Sequence, residues 1–306
     1  MSMDRPVRVG TRRSPLAVAQ SNIIVNQLKI RYPEIEFELV GISTEGDVVL
    51  DKRLDVIGGK GLFVNEIEAA LLEGSIDIAV HSMKDMPAVM PEGLTIAAVS
   101  NREDPRDVLI TMDGSKLDGL RAGSVVGTSS IRREIQLLNM RPDIKIKQLR
   151  GNVNTRLDKL ADGEYDAIVL AAAGLVRLGL EEKCTQYFNV DEMIPAIGQG
   201  ILGIQTRKGW EKQRMLEAIH CPDTYLQLEA ERAFMIRLNG GCSTPTAAYA
   251  VIEGSKLRLL GMLATTSCRE GYRAMVEGDK QLARSLGEKL AAIIQNKRDR
   301  QESEEG

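Results

Sequence analysis

The chain has 306 residues, enough for two or three domains that each bury a core. With 43% hydrophobic and 27% charged residues and a net charge of −3, its composition is that of an ordinary globular protein, not of a general nucleic-acid binder. No run approaches the roughly 18 apolar residues of a membrane span, and Met1-Ser2-Met3-Asp4-Arg5 contains no apolar stretch of signal-peptide type, so the expected location is cytoplasmic.

Short apolar strands alternate with helical patterns, the signature of parallel α/β construction. Residues 7–10 read as a strand. Ser14-Pro15 then supplies an N-cap and a first helical residue, opening a helix to about Arg31. Residues 35–42 form a second strand. Phe63, Ile67, Ala70 and Leu71 recur at helical spacing until Gly74 stops the helix. Strands follow over 76–80 and 94–99. The pattern restarts near residue 105, with strands over 108–111, 125–127, 144–149 and 167–170 and helices after Ser129 and Asn152. Val9-Gly10-Thr11 is echoed by Val126-Gly127-Thr128, and Asp77-Ile78-Ala79-Val80 by Asp166-Ala167-Ile168-Val169, which suggests two similar halves. A strand over 201–205 and a helix over 210–219 come next. A long helix over 224–238 then precedes Gly240-Gly241-Cys242. Three strands of antiparallel type follow (246–252, 257–264, 272–276). Leu282, Leu286, Leu290 and Ile293 mark a last amphipathic helix before an acidic, frayed tail at 301–306. The expected architecture is two doubly wound α/β domains of the kind seen in type II periplasmic binding proteins, 1–100 with 201–219 and 101–200. A small α+β domain over 220–306 completes it.

The residues that suggest chemistry are mostly arginines at the carboxyl ends of strands, where doubly wound sheets bind ligands. Arg12 and Arg13 sit on a strand-to-helix turn. Arg132 and Arg133 lie in the first turn of a helix capped by Ser129 or Ser130. Arg150 ends a strand, Arg156 lies in the next helix, and Arg177 follows the strand ending at Leu170. A helix N-terminus attracts anions and disfavours cations, so two arginines there suggest an anionic ligand that offsets the repulsion. His81-Ser82-Met83-Lys84-Asp85 follows a strand, and its carboxylate could stabilise a developing cation or move a proton. Gly58-Gly59-Lys60-Gly61 lacks phosphate-loop spacing and reads as a hinge or lid. Of four cysteines (Cys184, Cys221, Cys242, Cys268), none in CxxC spacing, Cys242 is the most suggestive, since two glycines before it leave its thiol accessible. Two histidines, His81 and His220, give no ground for a metal site.

Gly58–Phe63, His81–Asp85, 102–107, 127–133, 149–152, 195–200 and 229–242 together make the chain closely resemble the porphobilinogen deaminase (hydroxymethylbilane synthase) family over essentially its whole length. The resemblance implies a transferase of haem and tetrapyrrole biosynthesis. It would join four porphobilinogen molecules with loss of ammonia at each step and release hydroxymethylbilane by hydrolysis. It also implies a dipyrromethane cofactor on Cys242 and a catalytic role for Asp85 beside Lys84. Lys84, Thr128, Ser129, Ser130, Arg132, Arg133 and Arg156 match cofactor contacts. Arg12, Ser14, Phe63, Arg150, Arg177 and Gln199 match substrate contacts, and residues 47–60 a mobile loop over the cleft. Val56, Asn65, Glu45 and Ser243-Thr244 depart from the family's usual residues, which bears on loop closure and elongation rate. A solute-binding module would share the fold, but the absent export signal, the third domain and Cys242 speak against it. The expected partner is the small substrate alone, with no nucleic acid, membrane or metal, and the expected state is a monomer.

Overall fold

The structure is a computed structural model that describes residues 5–44, 64–238, 245–264 and 271–305. The chain divides into two compact units, Met1–Glu103 with Ile201–Tyr225, and Asp104–Gly200 with Leu226–Gly306. Strands β1 (Val7–Arg12), β2 (Phe37–Ile42), β3 (Ile78–Ser82) and β4 (Leu94–Val99) belong to the first. The second holds β5 (Asp107–Thr111), β6 (Val125–Gly127), β7 (Lys145–Lys147), β8 (Ala167–Ala171) and β9 (Gln186–Tyr187). Strand β10 (Leu202–Arg207) returns to the first unit, and β11 (Thr246–Glu253), β12 (Lys256–Leu263) and β13 (Tyr272–Asp279) close the second. The helices are α1 (Pro15–Arg31), α2 (Asn65–Glu73), α3 (Ile131–Met140), α4 (Val153–Ala161), α5 (Ala172–Val176), α6 (Pro222–Arg237) and α7 (Ala283–Glu305).

The two five-stranded sheets have the same strand order, β2-β1-β3-β10-β4 and β7-β6-β8-β5-β9. In each, the first three strands are parallel. One strand of each sheet runs against its neighbours: β10 is antiparallel to β3 and β4, and β5 to β8 and β9. The repeated motif falls in one register, Val9 opposite Ile78 and Gly10 opposite Ala79 in one sheet, Val126 opposite Ala167 and Gly127 opposite Ile168 in the other. Glycine serves the same purpose at both places. A methyl on Gly10 would overlap Ile76, and one on Gly127 would stand 2.8 Å from the Tyr165 ring.

Alternation along the strands supplies both layers, because successive side chains leave opposite faces. Ile78 and Val80 pack with Ile24, Val25 and Leu28 of α1, while Ala79 joins Ile67 and Leu71 of α2. In the second sheet Val169 packs with Leu137 of α3, and Ile168 and Leu170 with Leu160 of α4. Gly74 ends α2 in the left-handed conformation, its N–H reaching Ala70 and Leu71 carbonyls as a helix stop requires.

Three expectations are corrected. Residues 213–218 form a 3-10 helix, in keeping with Trp210, Leu216 and Ile219 of the core recurring at multiples of three. The strand expected over 144–149 stops at Lys147, because Ser129 Oγ accepts from Leu149 N at 3.1 Å and donates to its carbonyl at 2.8 Å. The last helix starts at Ala283, buries Leu286, Leu290 and Ile294, leaves Leu282 57% exposed, and continues through 301–305. The three-stranded sheet β11-β12-β13 lies with Gly261 against Leu290 of α7 and Phe234 of α6. Its Ala247 and Met262 pack on Ile194 of the same unit.

Candidate active site

In the first unit, the carboxyl ends of β1 and β3 carry the expected residues. Arg12 is the last residue of β1 and half-buried. Ser14 caps α1, its Oγ accepting from Ala17 N at 3.3 Å, with Pro15 at the first helical position. Beyond β3, Met83–Asp85 form one 3-10 turn, anchored by Met83 N donating to the Ile201 carbonyl at 3.0 Å. Gln20 Nε2 donates to Ser82 Oγ at 2.9 Å. Met83 is buried, Lys84 half-buried and Asp85 exposed, so the turn sinks its apolar residue and presents the carboxylate.

Behind this turn lies a buried polar chain not foreseen from the sequence. Gln205 Nε2 donates to Glu68 Oε1 at 2.9 Å, so its Oε1 is left to accept from His81 Nε2, also at 2.9 Å. Burial lowers the His81 pKa to about 4; the Arg12 charge acts in the same sense and the Gln205 bond opposes both. The imidazole is therefore neutral at pH 7. Burial pushes the Glu68 carboxyl up, against the Gln205 bond. The available signal was a glutamine in the middle of an apolar strand and a glutamate between Ile67 and Leu71 on a buried helix face.

In the second unit, Thr128, Ser129 and Ser130 follow β6. Thr128 Oγ1 accepts from Ser130 N at 3.2 Å, and Ser130 occupies the N-cap of α3 without a side-chain bond to the helix. Arg132 and Arg133 point into the protein, where both meet Asp107 at the start of β5. Arg132 Nη1 donates to Asp107 Oδ2 at 2.6 Å and Arg133 Nη2 to Oδ1 at 2.7 Å. Arg132 Nη1 also reaches the Ile194 carbonyl at 2.7 Å, and Arg133 Nη1 the Val169 carbonyl at 2.9 Å. Asp107 is 0% exposed. Burial alone would raise its pKa, but the charges of Arg132 and Arg133 hold the carboxyl well below the usual range. Asp107 therefore supplies these two arginines with a negative charge from within the unit, a partner that the sequence reading did not include.

Gln199 completes the cluster, its Nε2 donating to the Pro105 carbonyl at 2.6 Å and to Asp107 Oδ1 at 3.0 Å. The next turn is held by Gly198 N donating to buried Glu231 Oε2 at 2.7 Å. Arg156 Nε donates to the Gly151 carbonyl at 2.8 Å, and Arg177 Nη2 to the Gly200 carbonyl at 2.6 Å. Gln199 Oε1 and Arg150 Nε are buried with no hydrogen-bond partner, as are Ser21 Oγ and Thr206 Oγ1 in the first unit. Buried polar groups are nearly always paired, so an unpaired acceptor and donor beside these residues fit a polar ligand. Cys242, Phe63 and residues 47–60, with Val56, lie outside the described residues.

Residues 7–215 match the family model described as porphobilinogen deaminase, dipyromethane cofactor binding domain. Residues 225–296 match that described as porphobilinogen deaminase, C-terminal domain. A porphobilinogen deaminase from Alkaliphilus metalliredigens is 47% identical over 95% of this chain and 92% of its own. One from Lysinibacillus sphaericus is 48% identical over 95% of this chain and 94% of its own. A solved substrate-binding domain of a putative amino acid ABC transporter from Streptococcus pneumoniae is 13% identical, covering 76% of this chain and 98% of that chain at a TM-score of 0.43. A likeness that loose adds nothing to the fold described above. The extent and identity of the other matches are decisive, and the chain belongs to the porphobilinogen deaminase family.

Proposed function

We propose that the chain joins four porphobilinogen molecules in succession, losing one ammonia at each joining, and then releases hydroxymethylbilane by hydrolysis. The observation that carries this reading is the match of residues 7–215 to the dipyromethane cofactor binding domain of porphobilinogen deaminase; the buried atoms Arg150 Nε and Gln199 Oε1, each without a hydrogen-bond partner, are in keeping with it. Each pyrrole unit of such a ligand brings two carboxylates and one N–H. Guanidinium groups suit the first, bidentate and charged, and a carboxylate or amide oxygen suits the second.

Asp85 acts where charge develops. As the aminomethyl C–N bond of a substrate breaks, ammonia departs with the bonding pair and the pyrrole left behind becomes cationic. An adjacent carboxylate lowers the energy of that cation and accepts its N–H. Lys84 lies beside it to hold a substrate or cofactor carboxylate. Arg12, Ser14, Arg150, Arg177, Gln199 and Phe63 are assigned to substrate. Thr128, Ser129, Ser130, Arg132, Arg133 and Arg156 are assigned to the dipyrromethane, with Cys242 as its covalent anchor. When bound, that group supplies the pyrrole carbon at which joining begins and keeps the product tethered.

No helix among the described residues is long and apolar enough to cross a membrane. We assign the enzyme to the cytoplasm as a monomer acting on a small molecule, without nucleic acid. Intact-mass spectrometry of freshly purified protein tests the reading: a dipyrromethane adduct is expected on Cys242, and its absence together with no porphobilinogen turnover would sink it. Asp85→Ala is expected to lose at least about a thousandfold in kcat while remaining folded. Substantial residual activity removes the role given to Asp85.

A further inference from the structure

Gln136, on α3 one turn beyond Arg132, is 0% exposed and uses its whole amide. Nε2 donates to the Arg132 and Ile194 carbonyls, each at 3.2 Å. Oε1 accepts from Ile194 N at 2.8 Å and from Arg273 Nη2 at 3.1 Å. Two donors and two acceptor positions are all an amide side chain has. Gln136 therefore grips both polar groups of Ile194, and the Ile194 carbonyl is the same oxygen that receives Arg132 Nη1 at 2.7 Å. From the other side, Ile194 packs its side chain on Ala247 of β11 and Met262 of β12. Arg273, on β13, reaches past Gln136 to the Asp191 carbonyl at 3.0 Å. Its own carbonyl accepts from Lys297 Nζ of α7 at 2.8 Å. One buried glutamine thus stands between the three-stranded sheet and a guanidinium of the candidate site.

We infer that Gln136 is a positioning residue: it sets the Arg132 guanidinium at a fixed place relative to the sheet β11-β12-β13. Asp107 neutralises the arginine from β5, inside the five-stranded sheet, whereas Gln136 and Ile194 register it to a different sheet. The first strand of that sheet, β11, is the one that follows Cys242 in the chain. The inference rests on the assignment of Arg132 to the cofactor's carboxylates. A shift in the arginine should accordingly slow turnover without weakening capture of the incoming substrate.

The test uses the purified holoenzyme, with kcat expressed per dipyrromethane-bearing molecule counted by intact mass. Gln136→Met keeps the length and removes every hydrogen bond. It is expected to lower kcat about tenfold with KM unchanged, since small displacements of a catalytic constellation cost rate on this order or more. Gln136→Glu keeps both acceptor bonds and gains an ion pair with Arg273, but it turns an oxygen on the Arg132 and Ile194 carbonyls that Nε2 had bonded, so its kcat is also expected to fall below wild type at unchanged KM. A Gln136→Met or Gln136→Glu enzyme as fast as wild type overturns the inference. If Gln136→Met does not fold, Arg273→Met carries the test, because it cuts only the arm from β13. A fall of about threefold in kcat at constant KM is then expected, and an unchanged kcat overturns the coupling. Wild-type protein without turnover would instead sink the functional reading itself, so the two failures are distinguishable.

Discussion

Leu202 in the first unit and Asp107 in the second occupy the same place in their sheets. Each lies on the antiparallel strand, and each pairs with the last residue of the neighbouring parallel strand, Leu202 with Ser82 and Asp107 with Ala171. Both are buried, at 1% and 0% exposure. At the second and third positions of the adjoining helices, the first unit has Leu16 and Ala17 where the second has Arg132 and Arg133. The topology is one, and the chemistry is opposite. The first unit demonstrates that this sheet closes without a charge at that point. The ion triad of the second therefore contributes something other than the fold. A buried ion pair is weak support for stability, because desolvation offsets most of the attraction.

The strongest way to break the comparison is to give the second unit the chemistry of the first. Asp107→Leu alone leaves two guanidiniums buried without their counter-charge and is expected to cost about 3–5 kcal/mol in urea unfolding. Replacing Arg132 and Arg133 together with it, by Met and Leu, should recover most of that loss while abolishing turnover. A triple variant no more stable than Asp107→Leu would show that the triad does hold the fold. Acid adds a second arm. The Asp107 carboxyl is depressed on folding, so its contribution is present above the unfolded pKa of about 4 and is lost as pH falls through the folded value.

The first unit answers at higher pH. His81 is depressed to about 4 on folding, against about 6.5 when unfolded, so the unfolded chain binds the extra proton between these values. The His81 contribution is full above about pH 6.5 and is lost as pH falls towards 4. It amounts to about 2 kcal/mol lost by pH 5. Urea midpoints at pH 7 and pH 5 should differ for wild type and differ less for His81→Asn. Equal pH slopes would remove His81 from the account. The smallest effect is at the caps. Ser14 bonds its helix and Ser130 does not, so Ser14→Ala should cost about 1 kcal/mol and Ser130→Ala much less in thermal unfolding.

Much of this was legible in the sequence because it rests on short-range rules. Ser14-Pro15 opened a helix, Gly74 closed one, and the Val-Gly steps of β1 and β6 fell in matching registers. What escaped depends on pairings distant in the chain. The direction of β10 is fixed by its neighbours β3 and β4, far back in the sequence, and no local pattern separates a buried parallel strand from a buried antiparallel one. Asp107 reads as one more acidic residue in a polar stretch until the fold sets it between Arg132 and Arg133. The same distance hid Gln205 from His81 and Glu68. Ser129 looked like a helix cap, yet its hydroxyl serves the Leu149 backbone, a competition that side-chain hydroxyls enter wherever a strand end is near.

The return of β10 to the first unit has a consequence during synthesis. Strand β4 is joined to its sheet only through β10, and β10 leaves the ribosome only after the whole of Asp104–Gly200 has been made. At translation rates of about 5–20 residues per second, the first sheet waits roughly 5–20 s with the β3 edge open. Throughout that interval the nascent chain displays an apolar strand with unpaired N–H and C=O groups, a template for pairing with any neighbouring chain. Crowded polysomes and slow codons within the second unit's coding stretch would lengthen the exposure. Soluble yield of this enzyme should therefore be governed by how quickly the ribosome crosses a region that contributes nothing to the sheet at risk.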